Sequence, residues 1–171
     1  MSISARTPVQ IAWVTGDIGA TETALTGLLG VKKWIRLNGV HFRPDTCTYR
    51  GQPADFVANI SLSYLGDMQL ELIEPVSGQS IYSEFLENGF LENGDGGLHH
   101  ICTEAADQQS LQAELAAAAE IGAEVVMTGV MPRGMHFAYI SNPGAGVPYL
   151  EIAFIPDEMR TFFDYIKQEQ Q

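Results

Sequence analysis

One order of elements recurs along this chain, and it limits the fold more than any other feature. Apolar-rich residues 9–15 read as a buried strand. Asp17 follows as an N-cap, and Ile18, Ala24, Leu25, Leu28 and Leu29 keep helical spacing until Gly30 stops it. Residues 32–42, 55–64 and 68–74 read as three strands, with turn residues in 43–53, a Gly66-Asp67 turn and Pro75 at the end. The series then repeats. Residues 98–103 form a strand, and 107–121 form a helix rich in Ala, Leu and Glu that ends at Gly122. Residues 123–128, 135–141 and 147–155 form three more strands. The expectation is an α+β fold of paired βαβββ modules around a concave mixed sheet. It is one domain over 1–171, with a first module at 8–75, a helical linker at 76–97, a second module at 98–156 and a C-terminal helix at 157–171. Ile81, Tyr82, Phe85 and Leu86 mark the linker helix, and Phe162, Phe163 and Ile166 mark an amphipathic helix at the end.

Composition narrows the function. Hydrophobic residues make up 46% of the chain, enough for a real core. No apolar run reaches the roughly 18 to 20 residues of a membrane helix, and residues 1–8 lack the apolar stretch of a secretory signal. Cys47 and Cys102 form no disulfide framework or paired metal motif and read as reduced thiols of a cytoplasmic protein. A formal charge of −12 argues against nucleic acid as a partner. Five of the nine basic residues (Lys32, Lys33, Arg36, Arg43 and Arg50) nevertheless cluster, as a rim for an anionic group or as charges guarding an edge strand.

Four polar residues stand where the strand pattern calls for apolar ones. Gln10 lies between Val9 and Ile11, Glu71 between Leu70 and Leu72, and Glu151 between Leu150 and Ile152; His100 precedes Ile101. Alternation turns their neighbours toward a core under the helices and these four toward the concave face. Two open the first strands of the repeats and two lie on the last strands, so a pseudo-twofold axis brings them together. Facing carboxylates repel unless a cation or a proton intervenes. One imidazole, two carboxylates and an amide oxygen suit Zn, Mn, Co or Ni, while parity alone equally allows four polar residues on a wet sheet face.

The stretches Met68-Gln-Leu-Glu-Leu-Ile-Glu-Pro75, Gly97-Leu-His-His-Ile101 and Tyr149-Leu-Glu-Ile-Ala153 resemble the vicinal-oxygen-chelate superfamily, nearest its methylmalonyl-CoA epimerase branch. The resemblance covers residues 8 to 156. It implies metal ligation by His100, Glu151 and Glu71, with His99 as a neighbour. Gln10 stands where epimerases carry histidine, so the quartet looks like that of animal glyoxalase I. The glutathione-gripping arginine and asparagine of that enzyme are replaced by Val14 and Pro75, so glutathione is not carried over. The additional epimerase glutamate aligns near Asn59, which cannot be a base and is a candidate to hydrogen-bond a substrate carbonyl.

By this resemblance the chain is a metal-dependent isomerase, epimerase or lyase acting on a small carbonyl compound or an acyl-CoA through a metal-stabilised enolate. Glu151 or Glu71 serves as base, and Arg133 in the 129–134 loop is the candidate for a substrate anion. The family implies a homodimer. The rival reading is a metal-free ligand-binding protein of the bleomycin-resistance type, which the acidic charge suits. A dioxygenase would prefer a two-histidine, one-carboxylate triad. His41 and His136 read as structural or surface residues, with His136 placed on a strand that can line the cleft, and Trp13 and Trp34 read as core or interface residues.

Overall fold

The computed structural model describes residues 5–89 and 96–171. The first module contains β1 (Pro8–Thr15), α1 (Ile18–Leu29), β2 (Ile35–Phe42), β3 (Cys47–Tyr49), β4 (Gln52–Pro53), β5 (Phe56–Leu65) and β6 (Met68–Ser77). A linker helix, α2 (Ile81–Glu87), leads to β7 (Gly96–Glu104), α3 (Gln108–Glu120), β8 (Glu124–Val130), β9 (His136–Ser141), β10 (Tyr149–Phe154) and α4 (Asp157–Gln168). The strand, helix and three-strand order appears twice, as the pattern predicts. The end of the expected linker, 90–95, lies outside the described residues.

The caps repeat as well. Asp17 accepts from the Ala20 amide at 2.9 Å and Asp107 from the Ser110 amide at 2.7 Å, so equivalent aspartates start both helices. Gly30 takes a left-handed φ of 74° where α1 ends, a conformation that favours glycine.

One ten-stranded sheet runs β2-β5-β6-β1-β7-β10-β9-β8-β3-β4. The two modules join along the antiparallel β1–β7 seam, flanked by the parallel pairs β1–β6 and β7–β10. Each half therefore reads outward from the seam in the same order. The 43–53 loop breaks this symmetry. The sequence marks it as a loop with turn residues, but it forms the β3–β4 hairpin and pairs with β8 of the other module. Cys47–Tyr49 is too short to show an alternating pattern, which is why the sequence hides it.

Four residues separate β2 from β3 and two separate β4 from β5, so the two ends of the sheet lie close together and the sheet curls round. Its inner face holds an aromatic cluster. Phe42 stacks on Phe56 with ring centroids 4.4 Å apart and meets Phe137 edge-on at 6.2 Å. The outer face of the second half packs Ile140 and Ile152 against Leu111 and Ala118 of α3. Among the described residues no helix is long and apolar enough to cross a membrane.

Candidate metal centre

Strand register explains why four distant residues meet. Across the seam, Glu71, Ala12, His100 and Tyr149 form one rung of Cα partners, and Gln69, Gln10, Cys102 and Glu151 form the next. The rungs are related by the pseudo-twofold: Gln10 corresponds to His100, Glu71 to Glu151 and Ala12 to Cys102. Ala12 lies between Glu71 and His100 and leaves both side chains room to lean inward.

All three oxygen-bearing side chains converge on one nitrogen. Nε2 of His100 is 3.3 Å from Gln10 Oε1, 3.4 Å from Glu71 Oε2 and 3.2 Å from Glu151 Oε2. A single N–H cannot serve three acceptors well at these distances. Ligands about 2.1 Å from a shared ion lie roughly 3.0 to 3.4 Å apart at tetrahedral or octahedral angles, so the donor set fits a divalent ion. Glu71, His100 and Glu151 together form a group that could hold one.

The electrostatics fit a site built for positive charge. Burial alone would lower the His100 pKa, but the hydrogen bonds it donates to the Glu151 and Glu71 carboxylates outweigh that and raise it to about 9. Burial raises the Glu71 pKa, and Glu151 adds to the rise against the opposing His100 interaction. His100 is fully enclosed, while the Glu71 side chain keeps 13% exposure.

A β-bulge makes His99 more than a neighbour. The register slips between Ala12 and Trp13, so His99 is the extra residue on β7 and its ring falls beside that of His100. The two Nδ1 atoms are 2.9 Å apart. Burial, followed by the charge at His100, holds the His99 pKa well below the usual value, so His99 is the neutral acceptor and His100 the donor. That assignment leaves His100 Nε2 free for a metal. Rings of Tyr82, Phe85, Tyr139 and Tyr149 enclose His99.

The same face carries further polar groups that strand alternation did not single out. Gln10 Nε2 donates to Gln69 Oε1 at 2.7 Å, and Gln69 Nε2 donates to the Tyr64 hydroxyl at 3.0 Å. The Tyr82 and Tyr139 hydroxyls are 2.7 Å apart on the wall of a cavity of about 540 Å³ whose lining includes Gln10, Glu71 and Glu151. Tyr139 is the Cα partner of Glu151, so the register could have placed it here had the pairing been known.

The two candidate substrate residues separate. Arg133 lines this cavity. Asn59 does not: it lies on the opposite face of β5, where Oδ1 accepts from the Gly39 amide at 2.9 Å and Nδ2 donates to Glu74 at 2.9 Å. Its physical role is to brace the bulge in β2, and the inward positions beside it are Ala58 and Ile60. His41 pairs with Asp55 at 2.7 Å on the surface. His136 faces away from the cavity, and the Trp34 indole donates to Thr26.

Comparison with known proteins agrees with this architecture. Residues 9–139 match the family described as the glyoxalase/bleomycin resistance protein/dioxygenase superfamily. No curated protein matches the sequence significantly. A hypothetical protein from Bacillus halodurans C-125 has a similar fold, with a TM-score of 0.62 at 19% identity over 90% of this chain and 97% of its own. The methylmalonyl-CoA epimerase from Mycobacterium tuberculosis gives 0.60 at 15% identity, covering 94% and 96%. A methylmalonyl-CoA epimerase in complex with methylmalonyl-CoA and NH4+ gives 0.55 at 17%, covering 88% and 95%. Duplicated module, curled sheet and matched sequence agree: the chain belongs to the glyoxalase/bleomycin resistance protein/dioxygenase superfamily.

Proposed function

We propose that this protein is a metal-dependent isomerase, epimerase or lyase that removes an α-proton from a small carbonyl compound or an acyl thioester. The observation that carries the reading is the convergence of Gln10, Glu71 and Glu151 on His100 Nε2, at the edge of a cavity large enough for a substrate. His100, Gln10, Glu71 and Glu151 would hold the ion. A divalent ion there supplies positive charge for a substrate oxygen that turns negative when the proton leaves.

The chain's own groups do the rest. Glu71 combines a pKa raised by burial with access to the cavity, which suits a carboxylate serving as base. Glu151 is the second candidate base, held closer to His100. Tyr82 and Tyr139 each have one hydroxyl hydrogen, and their mutual bond uses only one of the two. The other is free to meet a substrate oxygen.

The test is exchange of α-protons with solvent deuterium in metal-loaded protein, followed by NMR. Racemic methylmalonyl-CoA, other 2-substituted acyl-CoA esters and simple ketones make up the panel. Exchange that falls at least tenfold in Glu71→Gln or Glu151→Gln supports the reading. Equal exchange in both variants and wild type removes the carboxylates as bases. Tight metal-free binding of a cationic aromatic compound, with no exchange anywhere in the panel, supports a binding protein instead.

A further inference from the structure

The cavity above the four converging residues is apolar along its length and polar only at its two ends. Leu37 and Val40 of β2, Ile60 and Leu62 of β5, and Ile73 of β6 form one wall. Along β2 and β5 the regularly alternating inward positions (Ile35, Leu37, Val40 and Phe42; Phe56, Ala58, Ile60 and Leu62) carry hydrocarbon side chains, and Asn38, in the β2 bulge, is the polar exception that reaches the lining. Met131 and Met135 flank the 132–134 turn, and Met159, Phe162 and Phe163 of α4 lie across from them. Thioethers and rings give an adaptable cover that moulds to an apolar body. Ile166, fully buried, anchors α4 in place, and Gln170 ties its end to the Lys33 carbonyl at 2.9 Å.

The outer polar end carries Arg36, Asn38 and Arg133, and its two arginines differ. Arg36 is committed, with two hydrogen bonds to Glu22 at 2.8 and 2.7 Å. Arg133 is not: its Nε is 3.8 Å from Glu158, beyond hydrogen-bond range, and its guanidinium sits over the Phe162 ring at 5.3 Å. Its backbone φ of 69° is unusual for a residue with a side chain. Such a conformation is kept only where the surroundings enforce it, often at ligand clamps.

Apart from the exposed Lys32, the rest of the basic stretch is already paired with carboxylates. Lys33 pairs with Glu169, Arg43 with Asp45, and Arg50 with Glu84 and Glu124. With a formal charge of −12, the surface offers little to a phosphorylated carrier.

We propose that the cavity takes a carbonyl compound with a bulky apolar body, aromatic or branched aliphatic, and one carboxylate held by Arg133, in preference to an acyl group on a nucleotide-bearing thiol. The apolar body fills the Leu37–Ile73 wall, the carbonyl meets the Gln10, Glu71 and Glu151 end, and the carboxylate stays at the mouth. This rests on the proposed α-proton chemistry only for what happens to the carbonyl.

A matched series tests it by isothermal titration calorimetry on the whole chain, with and without added Zn²⁺. The compounds are 4-oxo-4-phenylbutanoate, 4-oxopentanoate (methyl in place of phenyl), 1-phenylbutan-1-one (no carboxylate) and propionyl-CoA. The phenyl acid is expected to bind at least tenfold tighter than 4-oxopentanoate and than propionyl-CoA. Arg133→Met should weaken the phenyl acid about tenfold and leave 1-phenylbutan-1-one unchanged. Equal binding of the two acids, tighter binding of propionyl-CoA, or no effect of Arg133→Met on the acid overturns the proposal. Deuterium exchange on the same compounds separates the two readings. Tight binding of the phenyl acid without exchange upholds this ligand class and removes the chemistry. Exchange confined to the CoA ester upholds the chemistry and removes this ligand class.

Discussion

Nδ1 of His99 lies 2.9 Å from Nδ1 of His100, so one ring must donate to the other. With His99 held neutral, His100 donates and keeps Nε2 facing the three oxygens. His99→Phe would fill the same aromatic enclosure without an acceptor. Divalent-metal affinity, measured by chelator competition, should then fall about 10- to 100-fold. His99→Gln supplies an oxygen acceptor and should recover part of the loss. Unchanged affinity in His99→Phe would show that the contact does not orient His100.

Gln69 plays the matching part for Gln10. Because it donates to Tyr64, its oxygen is left to accept from Gln10, which turns the Gln10 oxygen toward His100. Gln69→Leu should lower metal affinity about tenfold, while Gln69→Glu, which keeps the acceptor, should be milder. The same competition assay reads both, with a melting curve to confirm the fold.

The pH response follows from His100. Its pKa in the folded, metal-free protein is about 9, against 6.5 for an ordinary histidine. A raised pKa contributes stability that is complete below about pH 6.5 and is lost as pH rises through about 9. Metal-free protein should therefore melt at lower temperature across that window, and His100→Gln should flatten the trend. Adding metal at pH 7.5 displaces the proton, so about one proton should be released per ion bound. Calorimetry in two buffers of different ionisation enthalpy counts it.

The tyrosine pair predicts strong non-additivity. In Tyr82→Phe or in Tyr139→Phe one hydroxyl remains, and its hydrogen is no longer shared. Each single variant should keep α-proton exchange within a few-fold of wild type. The double variant removes the last donor and should lose roughly 10²-fold or more, as when an oxyanion donor is deleted. Metal content should not change. A double variant as active as wild type would remove the hydroxyls from the chemistry.

Gly129 makes a packing prediction. A Cβ there would lie 2.5 Å from the Phe137 ring and 2.9 Å from Cys47 Sγ, where β3 docks on β8. Gly129→Ala should cost about 1 to 3 kcal/mol by overpacking, read as a lower denaturant midpoint. A midpoint equal to wild type would mean the site relaxes freely.

Much of this fold was legible because the duplication is written in local signals. Asp17 and Asp107, the glycine stops and the apolar runs all follow from short-range chemistry. The convergence of Gln10, Glu71, His100 and Glu151 was legible from strand parity. Parity failed where the backbone departs from regular alternation. The bulge that places His99 beside His100 has no sequence mark, and Asn59 was placed by an alignment blind to the face it occupies. Gln69, Cys102 and Tyr139 belong to the inner rungs, but only the strand pairing shows which rung each shares.

The β3–β4 hairpin bears on how such a chain can assemble. Its partner strand, Glu124–Val130, leaves the ribosome long after the hairpin does. Until then the first repeat waits with an open edge, and Phe42 and Phe56 lack Phe137. Pairings between distant positions of this kind slow folding toward milliseconds to seconds. The repeats should consequently mature together, as a single cooperative event. A nick between the repeats would yield fragments that need each other to fold, which makes this chain suited to split-protein complementation and ill suited to division into autonomous halves.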